Sequence, residues 1–563
     1  MKYLVILSYL LYSGLIAEER PNIILLMSDD QGWGQTGYNN HPILKTPNLD
    51  NMASNGLRLD RFYSGAATCS PTRATVLTGR SNNRTGVLNH GYGLNLQEKT
   101  LPKALKDAGY NTAHFGKWHL NYIGGPGVPM AKEDPHGPGK YGFDYWLTST
   151  NYFDMNPMLS RNGTFEKMKG DSSEIIVDQA IKYIRDNKNS GRPFFTAIWY
   201  GSPHEPFEAR EDDLKLFPSL DKDSQAHYAE LVAMDRSIGT LRKSLKTMGL
   251  AENTLIWFSS DNGGLPLGKV NPITTGGLRG FKKSQYEGGI RVPCIIEWPK
   301  GISAKISNYP AYTSDTFPTL VSILGLDKNS INSIIDGKDI SPLFNKELTD
   351  RDQPMFFSQM SSHAMIDKGF KLLIQDKKKP ELYELQFDPT ESHNLAETQP
   401  VRVIQMQQKL DHWLLSVENS SKGKDYPEGK ITSEPREKLF WSESPYYKPF
   451  LKLFSMDERL AKAIEFNKKS NFLKNRYIKN IPKDLYHLLL EQAREKSKFI
   501  SGKVIMVGPK KSRVDYDYPI VTISKYNRVK NIADVIIKNP RNNMPILQKW
   551  SLSGNSWLPL YSK

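Results

Sequence analysis

The run Asn22-Ile23-Ile24-Leu25-Leu26-Met27-Ser28 leads directly into Asp29-Asp30, and Leu255-Ile256-Trp257-Phe258-Ser259-Ser260 leads into Asp261-Asn262-Gly263-Gly264. Continuous apolar runs of this length, without polar alternation, read as strands buried on both faces. Working outward, Thr112–Phe115, Pro193–Tyr200 and Val292–Glu297 have the same character. Between them Leu101–Ala108, Ser172–Asn187, Ser224–Met248 and Thr316–Leu324 carry the apolar spacing of helices. This alternation predicts an α/β fold, a mostly parallel sheet sandwiched by helices. In such sheets ligands bind outside the carboxyl ends of the strands, where Asp29, Asp30, Asp261 and Asn262 fall. Three carboxylates and an amide form a hard, all-oxygen set suited to calcium or magnesium. The plainer reading of each pair, taken singly, is a cap or a turn.

A chain of 563 residues exceeds one compact core. Residues 1–17, with Lys2 before an apolar run from Tyr3 to Ile16 and a small residue at Ala17, have the pattern of a secretory signal peptide. The expected location is therefore secreted or periplasmic. No later segment is long enough to span a bilayer. Residues 18–350 carry the α/β alternation. In 351–420, short strand candidates at Met355–Met360, Ala364–Asp367, Phe370–Gln375 and Glu381–Glu384 precede a helix over Val401–Val417, predicting a smaller antiparallel-sheet subdomain. Residues 421–563 form a basic extension of no assignable fold, with helical runs at Asp457–Asn471 and Lys483–Phe499 and strand-like runs at Lys503–Val507 and Pro519–Ser524. The formal charge of +15 resides wholly there: 29 Lys and Arg face 14 Asp and Glu from 421 onward, and the rest of the chain is balanced. Such a region favours polyanions, and secretion makes a sulfated polysaccharide a better match than nucleic acid.

The chain has two cysteines, Cys69 and Cys294. Cys294 lies in the apolar run Val292–Glu297, where a buried thiol is the default. Cys69 opens Cys69-Ser70-Pro71-Thr72-Arg73-Ala74-Thr75-Val76-Leu77-Thr78-Gly79-Arg80. Proline early in a helical run places Cys69 at or just before a helix N-terminus, where the dipole and Arg73 favour an anion. A thiolate nucleophile, a small residue packed under the helix start and a Cys69–Cys294 bridge are all compatible with this.

The segment resembles the signature of type I sulfatases, the formylglycine-dependent family of the alkaline-phosphatase-like superfamily. Cys69, Pro71, Arg73, Leu77, Thr78, Gly79 and Arg80 match it, with Thr72 in place of the commoner serine. The resemblance extends over roughly residues 20–400. It takes in the opening strand to Asp29-Asp30, Thr46–Asp50, Gly116-Lys117-Trp118-His119-Leu120, Ser202-Pro203-His204, Gly280–Gly289 with Lys282 five residues before Glu287, and Leu382 to Leu395. It implies that Cys69 is converted to formylglycine by a formylglycine-generating enzyme. One calcium ion would be held by Asp29, Asp30, residue 69, Asp261 and Asn262. It further implies that Cys69, Arg73, Lys117, His119, His204 and Lys282 carry the reaction. Lys117 and Lys282 would stabilise charge on the sulfate, Arg73 would hold the hydrated aldehyde, and His204, with Lys282, would protonate the leaving oxygen. His119 would take the proton that releases sulfate. His90, His114, His136 and His363 match no family position and read as surface or core residues.

The expected activity is hydrolysis of sulfate esters, on a sulfated polysaccharide or oligosaccharide. Alternatives are an arylsulfatase acting on small esters, or a phosphodiesterase or phosphonate hydrolase of the same superfamily. The latter calls for a second metal-ligand set with extra Asp/His pairs, which the sequence does not clearly contain. A non-catalytic polyanion-binding protein would have broken catalytic positions, and none is broken. Substrate contacts are expected in Gly124–Gly142, Asn151–Asn162 and His204–Arg210.

Overall fold

The computed structural model of the protein describes residues 20–266, 271–376, 378–433 and 437–467, together with the backbone of four strands between 520 and 560. The leader at 1–17, the helix expected at Lys483–Phe499 and the strand expected at Lys503–Val507 lie outside these residues. The chain divides into two compact units, Met1–Pro449 and Phe450–Lys563.

A ten-stranded sheet forms the middle of the first unit. Its central strands, in spatial order Thr254–Ser260, Asn22–Ser28, Phe194–Trp199, Asn111–Lys117 and Tyr145–Ser149, are all parallel. The opening strand alternates its side chains between two cores. Ile23, Leu25 and Met27 face one, with Trp199, Trp257 and Phe317; Ile24 and Leu26 face the other, with Ile176, Leu231 and Phe258. Burial on both faces explains why the run shows no polar alternation. The helix Ser172–Asn187 starts on Asp171, whose carboxylate accepts from the amides of Ser173 and Glu174.

Both edges depart from parallel: beyond Tyr145–Ser149 the strands Met158–Arg161 and Thr164–Lys167 are antiparallel, and the other edge holds a boundary that moved. The expected strand Val292–Glu297 is Cys294–Glu297, running antiparallel to both Thr254–Ser260 and Leu57–Leu59. It starts late because the Val292 amide is already bonded to the Phe62 carbonyl and Pro293 has no amide proton to give. Cys294 and Cys69 are both free and buried, so no disulfide joins them.

The smaller sheet is an antiparallel meander of Met355–Gln359, Ser362–Asp367, Phe370–Gln375 and Glu381–Glu384. One face packs on Tyr63, Ala67 and Tyr312 of the large domain. The other receives the helix Pro400–Ser421 through Met406, Leu410 and Trp413. Beyond that helix the chain turns back onto the large domain. Arg80 pairs with Asp425 at 2.5 Å, Tyr447 donates to Asp134 at 2.8 Å, Trp441 is fully buried, and Leu439–Phe440 pairs in parallel with Ile123–Gly124.

The second unit contains the short helix Leu451–Phe454, a helix over 458–467 and an antiparallel meander of Ile520–Asn527, Ile532–Lys538, Pro545–Ser553 and Ser556–Leu560. No helix among the described residues is long and apolar enough to cross a membrane.

Candidate active site

Four of the parallel strands end at one place. Asp29 and Asp30 follow the first, with the Asp29 amide on the Ser202 carbonyl at 3.0 Å. Asp261 and Asn262 follow Thr254–Ser260, the Asp261 amide lying 3.1 Å from the Ser28 carbonyl. Lys117 closes its own strand; His119 lies two residues on, its amide on Thr150 at 3.0 Å. His204 follows Phe194–Trp199, and the loop holding Lys282 is tied in by its amide on Gly264 at 3.1 Å. Asp30 and His119 both adopt left-handed backbone, with φ of 70° and 59°. That region is sparsely used by non-glycine residues, and such strain gathers at functional sites.

Cys69 is the first residue of the helix Cys69–Thr78, every residue of which is buried. The Thr72 hydroxyl donates to the Ala66 carbonyl at 2.9 Å and accepts from the Ala66 amide at 3.2 Å, which fixes the turn that enters the helix. This explains why threonine serves at the position where serine is commoner. The helix stops at Gly79, left-handed at φ 68°.

The side chains converge on Asp29. The Cys69 thiol donates to its Oδ1 at 3.2 Å and Lys117 Nζ lies 2.5 Å from its Oδ2. Asp30 receives Lys282 Nζ at 2.7 Å and the Asn262 amide at 2.7 Å, with His204 Nε2 at 3.7 Å. Asp261 bonds Arg73 at 2.7 Å and the Asp30 amide at 3.2 Å. Asp29, Asp30, Cys69 and His204 can each aim one ligand atom so that all lie within 4.8 Å of one another. The Asn262 Oδ1 is buried and accepts no hydrogen bond, and buried acceptors are rarely left so. A hard cation beside it would satisfy the atom, so the donor set fits calcium or magnesium. These seven side chains are not equally shielded: Asp29, Asp30, Asp261, Arg73 and Lys117 are fully buried, whereas the side chains of His204 and Lys282 are 15% and 11% exposed. The site therefore opens on the His204 and Lys282 side.

Burial raises the Asp29 carboxyl, but Lys117, His204, Arg73 and Lys282 outweigh it and hold the group well below the usual carboxylate range. Burial, then Asp261 and Asp29, push the Cys69 thiol well up, so the surroundings favour the thiol over a thiolate. The Arg73 guanidinium reaches Asp261 and, at 3.1 Å, the Lys117 carbonyl, and lies 5.1 Å over the Trp199 ring. Burial, then the Lys117 charge, hold His119 well below its ordinary value. The His204 ring donates from Nδ1 to the Glu205 carbonyl at 2.5 Å, leaving Nε2 toward Asp30.

All ten residues singled out in the sequence for catalysis or metal binding thus meet at one site. Two neighbours escaped that reading. Tyr152 stacks on His204 at 4.7 Å and 11°, and Trp199 lies under Arg73. An aromatic in a buried strand or loop carries no signal separating a platform from core, although Tyr152 lies in one of the expected substrate loops. His114 is a core residue, bonded to Thr148 and packed among Trp118, Phe143 and Trp199.

Fold and site together define an α/β enzyme with fixed cations gathered around a buried acidic cluster, an arrangement suited to anionic esters. A family model described as Sulfatase matches residues 21–326, and one described as N-sulphoglucosamine sulphohydrolase, C-terminal, matches residues 279–419. The N-acetylgalactosamine-6-sulfatase of Canis lupus familiaris is 31% identical over 386 residues, covering 61% of this chain and 69% of the relative. Arylsulfatase G of Rattus norvegicus is 32% identical over 384 residues, covering 60% and 71%. The crystal structure of Ps i-CgsB in complex with k-i-k-neocarrahexaose superposes with a TM-score of 0.63 at 25% identity, covering 78% of this chain and 98% of that one. The chain belongs to the sulfatase family, the sulfuric ester hydrolases of the alkaline-phosphatase-like superfamily.

Proposed function

We propose that the protein hydrolyses sulfate esters of a glycan, using a formylglycine made from Cys69 and one calcium ion held by Asp29, Asp30, residue 69, Asp261 and Asn262. The observation that carries this is the position of Cys69 Sγ, 3.2 Å from Asp29 within a buried carboxylate cluster whose neighbouring Asn262 oxygen lacks a partner. Once hydrated, the formylglycine supplies a diol oxygen as nucleophile, and calcium supplies Lewis acidity and orientation. Lys117 and Lys282 neutralise sulfate oxygens, which is the largest single contribution such a site makes. Arg73, braced on Asp261 and Trp199, fixes residue 69. His204, with Lys282, stands at the open side, where the leaving alcohol departs, and delivers its proton. His119, which burial keeps neutral, accepts the proton whose removal releases sulfate.

The names of the relatives, an N-acetylgalactosamine-6-sulfatase and a structure in complex with k-i-k-neocarrahexaose, support a glycan. The leader pattern at 1–17 supports export, with maturation by a formylglycine-generating enzyme. The proposed organisation is a catalytic domain over 18–350, a subdomain over 351–420 and the basic extension beyond.

The test is turnover of aryl sulfate, aryl phosphate and sulfated oligosaccharide, with and without chelator, beside mass spectrometry of the peptide holding residue 69. Sulfate turnover abolished by chelation and restored by calcium, with an aldehyde at residue 69, is expected. An unmodified cysteine in an active sample sinks the nucleophile, phosphate turnover above sulfate turnover sinks the activity, and full activity after calcium removal sinks the metal.

A further inference from the structure

The segment that returns to the large domain after the subdomain helix brings a lysine to the mouth of the site. Leu439 donates its amide to the Tyr122 carbonyl at 3.0 Å, and Leu439–Phe440 pairs with Ile123–Gly124. This pairing fixes Lys438, one residue earlier, on the rim. A Cβ built on Gly91 would lie 2.8 Å from Lys438 Cδ and 3.7 Å from His119 Nε2, so the lysine stem and the histidine flank the same small gap. Lys438 Nζ reaches the His90 carbonyl at 3.4 Å. The lysine is half-buried, and burial lowers its pKa.

Lys438 has company but no counter-ion. Among the described residues no carboxylate pairs with Lys438 or with the exposed Lys283. Partial desolvation at the rim, then the charges of Lys438, Lys282, Lys283 and Lys117, push His90 down to about 3, so all four lysines act on this ring. Lys117 and Lys282 are engaged by the buried acids and, in the proposed reaction, by the scissile sulfate. Lys438 and Lys283 have no such partner. A half-buried ammonium with like charges around it is costly unless an anion joins it. Next to His90 along the chain, a cleft of ≈ 480 Å³ lined by Leu88, Asn89, Tyr92, Met360, Leu414 and a single acid, Glu418, gives a longer molecule room to continue.

We propose that Lys438, with Lys283, binds a second anionic group of the substrate, a carboxylate or a further sulfate on the same glycan, while the scissile sulfate occupies the inner site. This rests on the glycan sulfatase reading and narrows it to multiply charged substrates.

Three sulfated disaccharides test it, matched except that the second position carries a carboxylate, a sulfate or a neutral hydroxyl. Wild-type enzyme should prefer a charged second position. In Lys438→Gln, which keeps much of the stem, kcat/KM for the charged disaccharides should fall about tenfold or more relative to the neutral one, as expected for a lost charge-assisted bond. The loss should lie mainly in KM, and Lys438→Arg should restore most of it. Whether the carboxylate or the sulfate analogue suffers more identifies the natural group. Lys283→Ala should shift the same ratio in the same direction, which covers the case of a Lys438 variant that fails to fold. Equal losses on charged and neutral substrates in both variants would make these lysines structural and overturn the inference. A wild-type enzyme that cleaves all three sulfates equally overturns it too, leaving the sulfatase reading intact. No sulfate release from any substrate by matured, calcium-loaded enzyme overturns both.

Discussion

Arg73 ties three strands of the site together. Its guanidinium joins Asp261, which follows one strand, to the Lys117 carbonyl, which ends another, and rests on Trp199 of a third. Lysine cannot reproduce this: it has no planar fork and stacks less well. Arg73→Lys should therefore fold yet lose roughly 10²-fold in kcat/KM on aryl sulfate, the scale of a reacting group displaced by about 1 Å. Arg73→Ala leaves Asp261 buried without its cation, a defect worth about 3–5 kcal/mol, readable as a lowered unfolding midpoint. A wild-type midpoint for Arg73→Ala would show that Asp261 does not depend on it. Individual residues were legible where chemistry forces an unusual neighbour. Acids directly after an apolar strand are conspicuous, and so is cysteine before Pro71 and Arg73. Tyr152 and Trp199 were not, because an aromatic ring reads as core in sequence whether or not it also backs a charged group.

Elements were legible where local pattern and tertiary role agree. The helix expected at Ser172–Asn187 and the strands expected at Phe370–Gln375 and Glu381–Glu384 have those bounds in the structure. At Val292 a specific bond moved the boundary. Met355–Met360 ends one residue early because Met360 is left-handed, at φ 53°, and begins the turn. The strand Asn111–Lys117 carries a requirement that no pattern announces. Gly116 has φ 98°, and a Cβ there would lie 2.0 Å from the Trp199 carbonyl oxygen of the adjacent strand. No flexible side chain can yield, because the obstacle is backbone. Gly116→Ala should cost about 1–3 kcal/mol from overpacking and a further 1–2 kcal/mol from the left-handed backbone. It should also shift Lys117, the next residue, away from Asp29. Thermal unfolding and aryl sulfate turnover measured together check this: both should fall. An unchanged midpoint would mean that the two strands separate freely at this point, contrary to the close packing described.

At the scale of the whole molecule, composition and packing mark different places. The excess of basic residues begins at 421, where the sequence reading placed the last boundary, and compactness divides the chain after Pro449. Charge counting has no access to the difference, since the contacts of residues 422–449 are made by scattered single residues. Asp425 meets the buried Arg80 and Tyr426 donates to Glu98 at 2.5 Å. Trp441 is enclosed, and Tyr447 donates to Asp134. Arg80 closes the segment that Cys69 opens, eleven residues on, and its second acid, Glu98, is 3.6 Å away. Removing Asp425 and Tyr426 therefore weakens the support directly behind the Cys69–Thr78 helix. Two truncations separate the alternatives. A chain ending at Pro449 keeps every residue assigned to the site and should retain aryl sulfate turnover with a similar unfolding midpoint for that unit. A chain ending at Ser421 loses the partners of Arg80 and Glu98 and the buried Trp441, and breaking a buried pair of this kind costs about 3–5 kcal/mol. It should melt several degrees lower and lose activity with its structure. If instead the shorter chain is as stable and active as the longer, residues 422–449 are an appendage of the basic extension, and the enzyme proper ends with the subdomain helix.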